Sequence, residues 1–338
     1  TTNTSTAFLT IEPTIKPKIS GEDWLMRALL LGVALYLAFS IVLPLYAILS
    51  KSFQTADGGF AGLANYIKFA TTPALSWSIQ NSLTVTLIST LIVLPVAFVF
   101  TYALTRSCMP FKSLFKGIAL VPILMPSLLP AISLVYFFGN QGIFKSWLFG
   151  YDIYGPIGII LGESFYVFPH VFTILLIAMA NSDARLYEAA LVLRASRIKT
   201  FFTVTLPGVR YGLVSAFFVG FTLVITDFGV PKVIGGKYNV LATDVYKQVV
   251  GRQDFEMGAV IGMVLLLPAL LAFFADRVVQ HRQIALLSAR SIPYEPTPKK
   301  NFDIVMLTIC GGIAVIILSM LGMAAFASFA KFWPYNLE

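Results

Sequence analysis

Long apolar runs separated by short polar segments set the pattern of this chain. They show neither the two-residue alternation of a half-buried strand nor the narrow stripe of a soluble amphipathic helix. Seven of them, at about 27–49, 80–104, 116–138, 157–180, 211–231, 257–276 and 303–327, have apolar cores near the roughly 20 residues a helix needs to cross a bilayer. In lipid, backbone N–H and C=O groups must be bonded within the protein, so only helices and closed barrels span. The missing alternation argues against barrel strands. The pattern predicts an all-α polytopic membrane protein with about seven transmembrane helices.

Composition agrees. The chain is 57% hydrophobic and 12% charged, against about 25% charged residues in a soluble domain. Its net charge of +8 would direct a soluble protein toward nucleic acid. Here the basic residues lie in loops between spans, where they read as an orientation signal, and no nucleic-acid partner is expected. With the N-terminus inside, sixteen of the 24 Lys and Arg residues fall on the inner side. That bias predicts a cytoplasmic N-terminus, a multi-pass position in a bacterial inner membrane, and a cytoplasmic segment 183–207. Residues 1–26 are polar and read as a cytoplasmic tail. They are not expected to act as a secretory signal, because the following apolar run is too long and lacks a small-residue cleavage site. Cys108 and Cys310 lie at the edge of one span and inside another, without metal-ligand spacing, so neither a disulfide nor a metal site is expected.

The segment 183–207 is charged, helix-forming and set between two spans. Asp183 can cap a helix running from Ala184 to Leu193. Leu186, Ala190 and Leu193 recur at helical spacing and suggest an apolar ridge. Ser196 can cap a second short helix ending near Thr203, and Pro207 is expected to stop the local pattern and set the entry to the fifth span. Two short helices at an angle make a rigid knob. Small Ala189 and Ala190 allow close approach to a partner, and Glu188 offers a charge-assisted hydrogen bond. The alternative is a basic amphipathic loop lying on the inner leaflet.

Glu188-Ala189-Ala190, three residues, Arg194, nine residues, Val204, one residue, then Leu206-Pro207 resembles the coupling loop of permease subunits in binding-protein-dependent ABC importers. That family reads Glu-Ala-Ala, three residues, Gly, nine residues, Ile, any residue, Leu-Pro. Arg194 stands at the family's Gly, a position that permits positive φ. Either the turn here has another shape, or Arg194 reaches the ATPase or lipid phosphates directly. The resemblance implies a type I importer transmembrane fold and a loop that docks in a groove of a nucleotide-binding subunit. The implied partners are ABC ATPase subunits, a periplasmic solute-binding protein and a second permease half. ATP would bind the partner ATPase and no cofactor this chain, which has no phosphate-binding loop of the Walker type. The chain is therefore not expected to be an enzyme. Segments such as VITDFGVPKVIGG and NVLATDVYKQV are similar to the fused permeases of 2-aminoethylphosphonate importers, with ferric-iron permeases as near relatives. That similarity alone suggests a phosphonate substrate, with ferric iron or another small solute as the alternative.

Ionisable residues inside spans are functional suspects. Glu163 and His170, seven apart on the fourth span, and Asp227 near the outer end of the fifth are candidates for the translocation path; interhelical hydrogen bonding is the other reading. Gly212, Ala216 and Gly220 suggest a close helix contact. In the outer segment 229–251 and just past it, Lys237, Asp244, Lys247 and Arg252 are candidate contacts for the solute-binding protein. The proline-rich, basic stretch 283–302 reads as a cytoplasmic linker. Residues 27–282 would then be one permease copy and 303–338 the first span of a second, unless the chain is a seven-span protein in its own right. Two further classes are weighed. A membrane-embedded enzyme would need a motif or triad that two histidines cannot supply. A channel or secondary transporter would leave the 183–207 loop without a purpose.

Overall fold

A computed structural model describes residues 21–286 and 294–329. The predicted tail up to residue 20, linker residues 287–293 and the end from residue 330 lie outside the described residues. Thirteen α-helices are described: α1 (Gly21–Ser52), α2 (Ala64–Thr71), α3 (Pro73–Arg106), α4 (Lys112–Leu120), α5 (Leu128–Phe138), α6 (Pro156–Ala180), α7 (Ala184–Val192), α8 (Arg197–Thr200), α9 (Leu206–Thr226), α10 (Gly229–Ile234), α11 (Leu241–Tyr246), α12 (Phe255–Leu286) and α13 (Lys300–Phe329). Among the described residues no strand forms, only an isolated bridge between Gln54 and Phe60. The all-α class therefore holds.

Residues up to Ser50 make one compact unit and those from Lys51 another. The first is described by α1, which is continuous through Pro44 and includes residues 21–26 of the predicted tail. In the second, α3, α6 and α9 pack on one another, α12 packs on α9, and α11 joins α12 to α3. The rings of Phe100, Phe168 and Phe172 fill the middle of this core, with Phe100 edge-on to both others at centroid distances of 5.6 and 5.4 Å. The close approach is made by small residues. A Cβ on Gly212 would come within 2.3 Å of the Ala178 Cβ on α6, and one on Gly220 would touch Thr90 and Val171 at 3.3 Å. The expected contact of Gly212, Ala216 and Gly220 is thus present. A hydroxyl stripe on α3, Ser78, Ser82, Thr86, Ser89 and Thr90, is buried at near-helical spacing. Thr90 donates back to the Thr86 carbonyl at 2.7 Å. The outward face of α12, Leu267, Leu271 and Phe274, is exposed and apolar, as a lipid-facing stripe requires.

Among the described residues, six helical stretches are long and apolar enough to cross a membrane. The predicted span 116–138 differs. Helix α4 runs into a 3₁₀ turn at Val121–Leu124, and α5 leaves it at 102°. Met125 is extended at ψ 136° because the ring of Pro126 excludes the helical conformation from the residue before it. The predicted fifth span also shifts. Its helix starts upstream at Arg197, passes through a π turn at Phe201–Thr205 and ends at Thr226. Residues 229–231 belong instead to the separate α10, which packs on α5 and α6. Helix α13 lies against α4, α5 and α3, and Ser133 Oγ on α5 donates to its Met320 carbonyl at 2.9 Å.

Candidate functional site

The loop between α6 and α9 is built from local signals. Asp183 is extended and its carboxylate accepts the Arg185 N–H at 3.1 Å, capping α7. Ser196 Oγ accepts the Lys199 N–H at 3.3 Å and caps α8. Between them the chain turns through Arg194 at φ 52°. The Arg194 N–H bonds to the Leu191 carbonyl and the Ala195 N–H to the Ala190 carbonyl, each at 2.9 Å. These two bonds around a left-handed residue define a Schellman motif. The turn therefore keeps the glycine shape with arginine in the glycine place, and the expectation of a differently shaped turn is set aside.

The second half of the loop departs from expectation. Pro207 does not stop the helix. It sits in the first turn of α9, directly after the π turn, and the chain runs on as one continuous helical stretch into the span. A proline lacks the N–H that would bond one turn back, and its ring crowds that carbonyl. The wider π turn before it is where the helix absorbs this mismatch. Leu206 is half-buried and Pro207 exposed.

The predicted ridge of Leu186, Ala190 and Leu193 does not form one face. Ala190 turns inward and is buried, whereas Leu186 and Leu193 are exposed. The uncovered surface is instead Leu191 (78% exposed), Val192 (82%), Leu193 (80%) and Ile198 (74%), next to exposed Glu188, Ala189 and Arg194. Leu191, Val192 and Ile198 were not singled out from the sequence. Their signal was available: four large apolar residues within a charged connection, outside any span. A contiguous apolar patch of this kind marks a contact surface.

The intramembrane candidates separate. Glu163 is fully buried on α6, and neither carboxyl oxygen has a hydrogen-bond partner among the described residues. It lines a small cavity with Asp227, Ser82 and Thr86. Asp227 lies in the break after α9, not inside the span, where its Oδ2 accepts the Val230 N–H of α10 at 2.8 Å. His170 is half-buried two turns along α6, with its ring 5.7 Å from that of Tyr166, and does not line this cavity.

The outer candidates also divide. Lys237, Lys247 and Arg252 are exposed. Asp244 is 3% exposed and committed: it accepts a hydrogen bond from Ser78 on α3 and pairs with Lys247 at 3.8 Å. Burial pushes its carboxyl above the ordinary aspartate value, while Ser78, Lys247 and Arg252 pull the other way. Much of the predicted outer loop is likewise packed into the body, since Gly229, Val230, Pro231, Ile234, Leu241 and Ala242 are buried. Among the described residues, no group of His, Cys, Asp and Glu is placed to hold a metal ion.

Comparison with known proteins places this geometry. The family described as binding-protein-dependent transport system inner membrane component matches residues 109–285, more than half of the chain. The ferric transport system permease protein FbpB of Actinobacillus pleuropneumoniae is 27% identical over 98% of this chain and 49% of its own length. The spermidine/putrescine transport system permease protein PotB of Haemophilus influenzae is 26% identical over 74% of this chain and 93% of its own. The chain thus spans about half the length of the ferric transport relatives it matches. Among solved structures, a bacterial alginate ABC transporter in complex with an alginate-bound periplasmic protein shares the fold, with a TM-score of 0.61 over 80% of this chain and 97% of that one, at 17% identity. The chain belongs to the family of inner-membrane permease components of binding-protein-dependent ABC importers.

Proposed function

We propose that this chain forms half of the transmembrane path of an ATP-driven importer and takes up the force of a separate ATPase through residues 183–207. One observation carries the reading. A rigid, doubly capped knob presents Glu188 and Ala189 beside bare Leu191, Val192 and Ile198. A solvated loop would not hold that much apolar surface in the open. Arg185, Arg197 and Lys199 would also suit an anionic leaflet, and family membership favours the ATPase as occupant. ATP binds the partner and no cofactor is needed on this chain. Lys237, Lys247 and Arg252 are left as the surface for a periplasmic solute-binding protein. A second permease half completes the path, on the same polypeptide or another.

For the substrate we favour ferric iron over a phosphonate. The ferric transport relatives match nearly the whole chain, including α13. Two measurements test the proposal. In liposomes holding the full transporter, Glu188→Lys is expected to abolish ATP hydrolysis stimulated by the loaded binding protein while membrane insertion stays normal. Wild-type uptake by that variant would remove the coupling role. Radiolabelled ferric iron should enter without competition from 2-aminoethylphosphonate; uptake of the phosphonate instead would overturn the substrate reading.

A further inference from the structure

We propose that Arg106 is a positioning residue that ties the coupling loop to the chain segment leading into α13, so that displacement of the loop is passed to that segment as well as to the flanking spans. The inference deepens the coupling reading and rests on it. Arg106 ends α3 and is 8% exposed. Its guanidinium lies 5.0 Å from the ring centre of Tyr187 on α7 and 4.8 Å from that of Tyr294, with the two rings 4.5 Å apart. Nε donates to Tyr187 Oη at 3.3 Å, and Nη2 donates to the Met179 carbonyl near the end of α6 at 3.1 Å. Tyr187 in turn donates to Thr205 Oγ1 in the π turn at 3.1 Å. One buried cation therefore touches α6, the coupling helix and the segment 294–299.

The segment is held elsewhere too. Asp303 accepts the Cys108 N–H at 2.8 Å and the Lys299 N–H at 2.9 Å, and Cys108 Sγ donates to the Pro296 carbonyl at 3.1 Å. One turn before Arg106, Tyr102 stands edge-on to Phe201 of the π turn at 6.0 Å and to Phe302 of α13 at 6.3 Å. Residues 102 and 106 lie on one helix face. Both therefore join the loop to the same downstream segment.

The chemistry of the joint favours transmission over mere attachment. The partners of Arg106 are two rings, two carbonyls (Met179 and its neighbour Thr105) and a phenol. These contacts depend on distance and orientation far more steeply than a surface ion pair, and the cation is desolvated, which strengthens them. A shift of Tyr187 cannot leave Arg106 and Tyr294 where they were without losing them.

The test uses the full native polypeptide assembled with its ATPase and binding protein in liposomes, and reads solute moved per ATP hydrolysed. Arg106→Gln and Tyr294→Leu are each expected to lower that ratio about three- to tenfold in complexes that have assembled. Arg106→Lys, which keeps the cation over the rings, should recover part of the loss, and the double variant should be less than additive. A static staple would change assembly or thermal stability and leave the ratio alone; a wild-type ratio in both variants overturns the inference. Should Arg106→Gln fail to assemble, Tyr294→Leu decides by the same ratio. Glu188→Lys, measured alongside, separates the two levels. If it abolishes transport while the other variants keep the ratio, only the tie fails; if it transports normally, the coupling reading fails first.

Discussion

Arg194 occupies a left-handed turn at φ 52° that its family fills with glycine. The left-handed region costs an ordinary L-residue on the order of 1 kcal/mol, and more for a β-branched one. Arg194→Gly should therefore keep transport and coupling close to wild type, because the Schellman bonds need only the backbone. Arg194→Val should lower both, and circular dichroism with uptake assays would check the pair. Asp244 gives a pH prediction. Its folded-state value is raised by burial. Its contribution to stability is thus fully present below the ordinary aspartate value of 3.8 and is lost as pH rises through the raised one. Asp244→Asn should flatten that part of the stability–pH profile, read from thermal unfolding in detergent; an unchanged profile would show the carboxyl to be a bystander. The caps Asp183 and Ser196 were legible because a cap involves the next two or three residues only. The burial of Asp244 was not, because it comes from packing of α11 against α12 and α3, far away in the chain.

At the scale of elements, apolar runs located the membrane helices but not their interruptions. The stretch 116–138 has the composition of a span, yet Pro126 forces Met125 out of the helix and the two halves part at 102°. The reverse holds at Pro207, where a residue expected to end a helix is absorbed by a π turn. The difference lies in what surrounds each proline: at Pro207 the helix only has to widen by one residue, with Phe201 and Thr205 held by α3 and Tyr187. The seam between α9 and α6 makes a sharper prediction. Gly212 meets Ala178 with no room for a side chain, so Gly212→Val should destabilise the bundle by about 1–3 kcal/mol through overpacking. A lowered unfolding temperature in detergent would report it, with Gly208→Val as the control, since a Cβ at Gly208 meets open space.

For the whole molecule, orientation is the property most open to direct measurement. In a background lacking Cys108 and Cys310, Leu191→Cys should react with an impermeant thiol reagent only from the cytoplasmic face, and Lys237→Cys only from the opposite face. Labelling of Leu191→Cys from outside would leave the knob without an ATPase to meet. The all-α class, the position of most spans and the two caps of the 183–207 loop were determined by the sequence itself, since each depends on residue type at short spacing: apolar length for a span, a neighbouring side chain for a cap. The tertiary structure alone decided that α13 packs against α4 and α5, that Glu163 and Asp227 share a cavity, that Asp244 faces inward, and that Arg106 gathers Tyr187 and Tyr294. Those facts depend on which distant segments meet. In a chain so uniformly apolar, the hydrophobic pattern that sends helices into the bilayer is nearly silent about which helix faces which neighbour, because lipid solvates an apolar face as well as another helix does.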